Sequence, residues 1–217
     1  MTDETTDTGV VPPRIGDALK AGVDAFKANT GILLKAFGIF LGASVVISAV
    51  LQLVAGTLGG FSILVFALSL GSVLPSLLML PGLYSIALKC VRGRKAELRD
   101  LLLMFDDRFI HHVGPLMLQT CGVLLCGVGV FFTQALFIPG SFMVFDRRMS
   151  WDGAMQLCVE HIKPKLVPWL LFHLAVAGVA LAGVALCLVG SLFTGPVALC
   201  AWAYAYDKAF GGAAPGS

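Results

Sequence analysis

Acidic and basic side chains are absent from three long windows of this chain, residues 36–88, 109–145 and 166–206. The windows hold 53, 37 and 41 residues, and all 28 formal charges lie outside them. A helix that crosses a bilayer needs about 20 apolar residues. Each window is therefore long enough for a pair of spans, which predicts six. Composition agrees: 58% of residues are hydrophobic and 13% charged, with a mean hydropathy of +0.90. Average globular chains carry about 25% charged residues. A soluble enzyme domain, a disordered chain and a disulfide-stapled module are excluded. A net charge of +2 is too small to point to nucleic acid.

The charges fall in stretches 1–35, 89–108, 146–165 and 207–217, with 4, 6, 4 and 1 Lys or Arg. Three hairpins place all four stretches on one side. Turns near Gly59-Gly60, Gln134 and Gly190-Ser191 then fall on the other, uncharged side. Short loops rich in Lys and Arg stay cytoplasmic. Both termini are thus expected in the cytoplasm, with the chain a multi-pass protein of the bacterial inner membrane. The first apolar run begins near Gly31 after an acidic start (Asp3, Glu4, Asp7), unlike a secretory signal. Residues 1–13 and 211–217 read as tails around one domain, 14–210. The six cysteines (Cys90, Cys121, Cys126, Cys158, Cys187, Cys200) form no CxxC pair. They read as small hydrophobes.

Residues 15–27 and 151–163 match at an offset of 136. Ile15, Ala18, Leu19, Gly22, Val23, Phe26 and Lys27 fall on Trp151, Ala154, Met155, Cys158, Val159, Ile162 and Lys163. The spacing i, i+3, i+4, i+7 gives one face of an amphipathic helix. Ser150 is positioned to cap the second copy. Leu98, Leu101, Leu102 and Phe105 form a weaker third version. Each such segment precedes an apolar hairpin whose second half carries a proline beside a glycine: Pro81-Gly82, Pro139-Gly140 and Gly195-Pro196. The pattern predicts three like-oriented units. Each comprises an amphipathic helix lying on the cytoplasmic surface with its apolar face toward lipid, a span, and a returning span. The prolines Pro81, Pro139 and Pro196 are candidate helix breaks, with a kink expected near Pro75 and Pro81. The window 109–145 is short for two spans, so either Asp146 to Arg148 extend the fourth span or Ile138-Pro139-Gly140 interrupts it.

Several short motifs carry a resemblance to a known group: Arg92-Gly93-Arg94 leading into Leu101-Leu102, Ile138-Pro139-Gly140, Trp151-x-x-Ala154-Met155, Lys163, and Gly195-Pro196 ahead of Ala203-Tyr204. In these the chain resembles the YciC-like family of bacterial six-span membrane proteins. It is also similar to the membrane domain joined to some glycerophosphodiester phosphodiesterases. The likeness covers about residues 14–210 and implies an all-α bundle. It implies no activity, since the family has none established and the phosphodiesterase chemistry belongs to a domain these residues do not include. His111-His112 and Asp106-Asp107 depart from the pattern. Three two-span units also resemble the mitochondrial carriers, which place a gate charge two residues after each repeat proline. Here Pro81, Pro139 and Pro196 lead into Leu-Tyr-Ser, Ser-Phe-Met and Ala-Leu-Cys, and the gate charges are missing.

Candidate site residues are few. His173 is the ionisable group deepest in a span. Such a residue is a functional candidate, although a neutral histidine can also bond a neighbouring helix and hold the bundle together. His111, His112 and His161 lack metal-ligand spacing, so no metal site and no cofactor is expected. Arg92, Arg94, Lys95, Arg147, Arg148, Lys163 and Lys165 are candidate lipid-headgroup contacts within a wider basic belt that includes Lys35, Lys89 and Arg99. Each is worth about 1 kcal/mol near anionic lipid. Asp106-Asp107-Arg108 and Asp146-Arg147-Arg148 could pair across the inner surface. Small residues at fourfold spacing (Gly38 and Gly42, Ala67 and Gly71, Gly178 and Ala182) read as close-contact faces inside the bundle. The expected function is a non-enzymatic membrane protein that contacts lipids, anionic ones among them, or organises the envelope with a membrane-protein partner. The alternative is a small-molecule permease or channel.

Overall fold

The computed structural model describes residues 11–58, 61–105, 109–121, 128–185 and 187–211. Among them every regular element is helical. The order is α1 (Ile15–Ala28), α2 (Thr30–Leu58), α3 (Phe61–Val91), a 3-10 segment (Leu98–Phe105), α4 (Phe109–Cys121), α5 (Val128–Asp146), α6 (Trp151–Ile162), a 3-10 turn (Lys163–Lys165), α7 (Leu166–Ala185) and α8 (Cys187–Phe210). Two helical runs, Thr30–Thr57 and Trp151–Ala185, are long and apolar enough to cross a membrane. Each carries an outward row of apolar side chains: Val46 and Leu53 on α2, and Val167 and Leu181 on α7, are each more than half exposed.

The repeat is visible as geometry. α1 starts at Ile15 and α6 at Trp151, α2 at Thr30 and α7 at Leu166. Both pairs keep the offset of 136 found in the sequence. Asn29 interrupts the first helix pair, and Lys163–Lys165 interrupts the second. Equivalent positions are buried in both copies, Ala18 with Ala154 and Gly22 with Cys158.

The proline helices α3, α5 and α8 touch one another and form the centre. Tyr84 of α3 lies 4.8 Å from Phe142 of α5, which stacks at 5.3 Å on Tyr206 of α8. Around them, α2 packs on α3 and α8, α4 on α5 and α3, and α7 on α8 and α5. The surface segments follow the same cyclic rule. The 3-10 segment packs on α3, α6 on α5, and α1 on α8. Each amphipathic segment thus covers the proline helix that precedes it, and α1 closes the ring by covering the last.

That docking explains the residues beside the prolines. A Cβ added to Gly82 would lie 2.5 Å from the Leu101 backbone. One on Gly140 would collide with the Met155 methyl group of α6. On the α8 side the small residue is in the surface helix: a Cβ on Gly22 would lie 2.6 Å from the carbonyl oxygen of Val197. The apolar faces of α1 and α6 are therefore covered in large part by protein, not by lipid as their amphipathic pattern suggests.

Several expectations are corrected. Pro81, Pro139 and Pro196 all sit inside continuous helices. A proline costs a helix one N–H bond and crowds the carbonyl four residues back, and here tertiary packing holds each helix through it. α5 reaches Asp146 unbroken, so the fourth apolar segment is lengthened by its charged end. α4 has only 13 described residues, about 20 Å. Gln134 lies within α5, and Gly190-Ser191 within α8. α4 is described as far as Cys121 and α5 from Val128, and α7 as far as Ala185 and α8 from Cys187. Gly59-Gly60 lies outside the described residues, between α2 and α3. Gly42 and Gly178 have open space where a Cβ would stand, and Ala182 is exposed. Gly42, Gly178 and Ala182 thus point out of the bundle, whereas Gly38 faces Leu192 of α8. The side chains of Ala67 and Gly71 are outside the described set.

Candidate functional site at the charged end of the bundle

α3 ends because Gly93 adopts a positive φ of 63°. Gly93 N–H donates to the Cys90 carbonyl at 3.2 Å, and Arg94 N–H to the Lys89 carbonyl at 2.8 Å. This is the Schellman stop, in which glycine takes the left-handed position. It leaves Arg92 at the rim of the central trio and turns Arg94 back over Lys89.

Arg92 joins all three central helices. Its two terminal nitrogens hold both oxygens of Asp146, the last residue of α5, with Nη2 to Oδ2 at 2.7 Å. Its Nε donates to Asp207 of α8 at 2.7 Å. The Tyr206 hydroxyl donates to Asp146 at 3.0 Å. Arg147 donates to the Phe210 carbonyl at the end of α8. The C-terminal ends of α3, α5 and α8 are thus gathered in one place, so the three helices run in the same direction.

Arg92, Asp146, Arg147 and Asp207 lie beyond the charge-free windows, and Tyr206 is the last residue of the third. Burial alone would raise the Asp146 carboxyl. The Arg92 and Tyr206 hydrogen bonds, with the charges of Arg92 and Arg147, outweigh it and hold the group below the ordinary carboxylate range. The hydrogen bonds and charges of Asp146 and Asp207 raise the Arg92 guanidinium against its own burial penalty. A depressed carboxylate stabilises the fold fully above its unfolded value, about 3.9. The contribution is lost as pH falls through the lower, folded value. The thermal midpoint of the protein in detergent is expected not to change with the charge state of Asp146 above about pH 5, and to fall in acid. In an Asp146→Asn chain the acid-induced loss should be smaller. Equal acid sensitivity in the two chains would refute the assignment.

The other belt residues divide into two groups. Arg92 and Arg147 are engaged inside the protein, and Lys89 pairs with Asp100 at 2.8 Å. Arg94, Lys95, Arg148 and Lys163 are exposed, and Lys165 is half-buried. The partner of Asp146 is Arg92; Asp106-Asp107-Arg108 lies outside the described residues. Ser150 takes the N-cap position of α6 without making a capping bond. Its hydroxyl bonds Asp152 instead, and with backbone N–H groups holds that carboxyl below its usual range.

The histidines are dispersed. His111 Nδ1 accepts from the Trp151 N–H at 3.5 Å, at the start of α6. His161 Nδ1 lies 3.0 Å from the Leu157 carbonyl, near the other end. The side chain of His112 is outside the described set. His173 is buried between Trp202, at 5.7 Å, and Phe131, at 5.9 Å. Among the described residues, neither ring nitrogen has a hydrogen-bond partner, and neither does the buried indole N–H of Trp169, one turn earlier on α7. Nothing in the sequence marked Arg92, Asp146 and Asp207 as one cluster.

Fold and site together define an all-helical protein with lipid-compatible apolar helices and an ion-paired polar end. Comparison with known proteins adds no relative: no family model, curated protein or solved structure matches the chain.

Proposed function

We propose that the chain is an integral protein of a bacterial inner membrane, six spans in three like-oriented hairpins with both termini cytoplasmic. In this reading it is non-enzymatic, contacts anionic lipid at the cytoplasmic face, and organises the envelope there, alone or with a membrane-protein partner. The resemblance to the YciC-like group is part of the proposal. The observation that carries it is the outward apolar surface of α2 and α7, since soluble monomers rarely expose large contiguous apolar patches. The exposed cations Arg94, Lys95, Arg148 and Lys163 lie at the polar end beside that surface. The test is native mass spectrometry of protein released gently from its own membrane. Retained anionic lipid that is lost when these four residues become glutamine is the expected result. A lipid complement matching bulk membrane in the unaltered protein would overturn it.

The second reading, a small-molecule permease, is favoured by one observation: Trp169 and His173 hold buried nitrogens without partners on one face of α7. An unsatisfied buried polar group costs about 1–3 kcal/mol, so a polar pathway would explain its retention. On the lipid reading, His173→Leu should unfold at the same or higher denaturant concentration than the parent chain. Radical footprinting in a bilayer should leave Trp169 unlabelled. Labelling of Trp169 by trapped water would favour the permease.

A further inference from the structure

A groove of about 370 Å³ lies where the ring of helices closes, between the segment leading into α1 and the end of α8. Its wall is Pro12-Pro13, and its polar groups are Arg14, Asp17, Tyr204 and Lys208. The volume is at the lower end of small-molecule sites, about 300–1,000 Å³. We propose that this groove binds the phosphate of an anionic phospholipid headgroup, with Arg14 and Lys208 as the two cationic contacts. The proposal rests on the lipid-contact reading above and gives it a specific place.

Three observations carry it. The first is charge. Arg14 and Lys208 form no ion pair among the described residues, and Asp17 is the one carboxylate among the described lining residues. The described lining therefore carries one positive charge in excess. The second is order. Proline fixes its own φ, so the Pro12-Pro13 pair restrains the backbone that carries Arg14. The Lys208 ammonium rests 5.8 Å from the centre of the Tyr204 ring, which holds it at the groove wall. The third is a contrast. A second groove, about 220 Å³, lies between the ends of α3 and α5, lined by Ser85, Lys89, Arg92, Arg94 and Asp146. There Lys89 and Arg92 are already paired to Asp100, Asp146 and Asp207. Between α1 and α8, Arg14 and Lys208 are exposed and open to an outside anion.

The groove's level selects the source of the phosphate. Lys208 is two residues past the end of the last charge-free window, and Ile15, next to Arg14, is partly exposed. Lipid phosphates lie at that boundary between apolar and charged surface.

The full chain in nanodiscs of phosphatidylcholine doped with phosphatidylglycerol is the system for the test. Native mass spectrometry would count phosphatidylglycerol retained per protein. Each cation near an anionic surface is worth about fivefold in affinity, so an Arg14→Gln/Lys208→Gln chain should retain it on the order of twentyfold more weakly. An Arg14→Lys/Lys208→Arg chain should keep it. Both side chains are exposed, and an unchanged unfolding midpoint would confirm that the variants fold. If the glutamine pair retains phosphatidylglycerol like the parent while Arg94→Gln/Lys95→Gln loses it, the groove assignment fails and the lipid reading stands. If the parent itself shows no preference for phosphatidylglycerol, both fail. If inorganic phosphate or glycerol phosphate displaces the lipid at millimolar concentration, the occupant is a soluble phosphate, and the lipid source is overturned.

Discussion

An Arg92→Ala chain is expected to lose about 3 kcal/mol of stability, because the change strands two carboxylates. Removing one partner of a buried pair costs about 3–5 kcal/mol. The Arg92 and Asp146 side chains are each 18% exposed, so solvent screening places the cost at the low end. Asp146 Oδ1 and one oxygen of Asp207 lose their Arg92 donor, and Asp146 Oδ2 keeps only the Tyr206 hydroxyl. Arg92→Lys should recover part of the loss only, since an ammonium cannot reproduce the planar fork. The triple change Arg92→Met/Asp146→Asn/Asp207→Asn should be milder than Arg92→Ala, since no charge is left unpaired. Equilibrium unfolding in mixed micelles, followed by the fluorescence of the stacked Trp169 and Trp202, measures each value. A loss below about 0.5 kcal/mol, the range of ordinary surface changes, would show that the cluster holds nothing together.

The second large effect is expected at Gly82. Its added methyl in Gly82→Ala would meet the Cα and carbonyl oxygen of Leu101 at 2.5 Å and the carbonyl oxygen of Asp100 at 2.6 Å. All three are backbone atoms, and no rotamer change relieves them. The 3-10 segment must move away from α3. That movement also strains Asp100, which accepts from Lys89 at 2.8 Å and from the Glu97 N–H at 2.9 Å. Overpacking costs about 1–3 kcal/mol, and the coupled ion pair places Gly82→Ala near the top of that range. Gly42→Ala is the comparison. It has open space around it, and helix propensity favours alanine by up to about 1 kcal/mol. The same unfolding measurement should separate the two variants clearly. Equal stability would remove the docking contact as an explanation for the glycine.

What the sequence reveals here is local or periodic. The offset of 136 is readable because an amphipathic helix repeats its pattern within a dozen residues. The start of α6 at Trp151 and of α7 at Leu166 follow from it. The Arg92 cluster joins residues 54 and 115 positions apart, and no local pattern records such a pairing. The misplaced turns have a similar cause. Glutamine and glycine at Gln134 and Gly190 do not stop a helix whose backbone bonds are otherwise intact. The fourfold spacing of Gly178 and Ala182 suggested an interface, yet those residues face outward. The glycines at the surface-segment contacts, Gly22, Gly82 and Gly140, meet a different neighbour each time, and only Gly82 and Gly140 stand beside a proline. His173 was identifiable as unusual from its position alone, whereas its lack of partners required the fold.

The contact between α1 and α8 also sets an order of events during synthesis. α1 leaves the ribosome before any of the other helices, and the surface it docks on is made last. Until α8 emerges, the face bearing Ala18, Leu19 and Gly22 lacks its main cover. On the membrane reading proposed above, the amphipathic character of α1 suits that interval, because a helix of this kind can wait at the headgroup boundary. The final step of assembly would then be an exchange of lipid for α8, and a nascent chain stopped short of Pro196 would keep its first helix on the membrane.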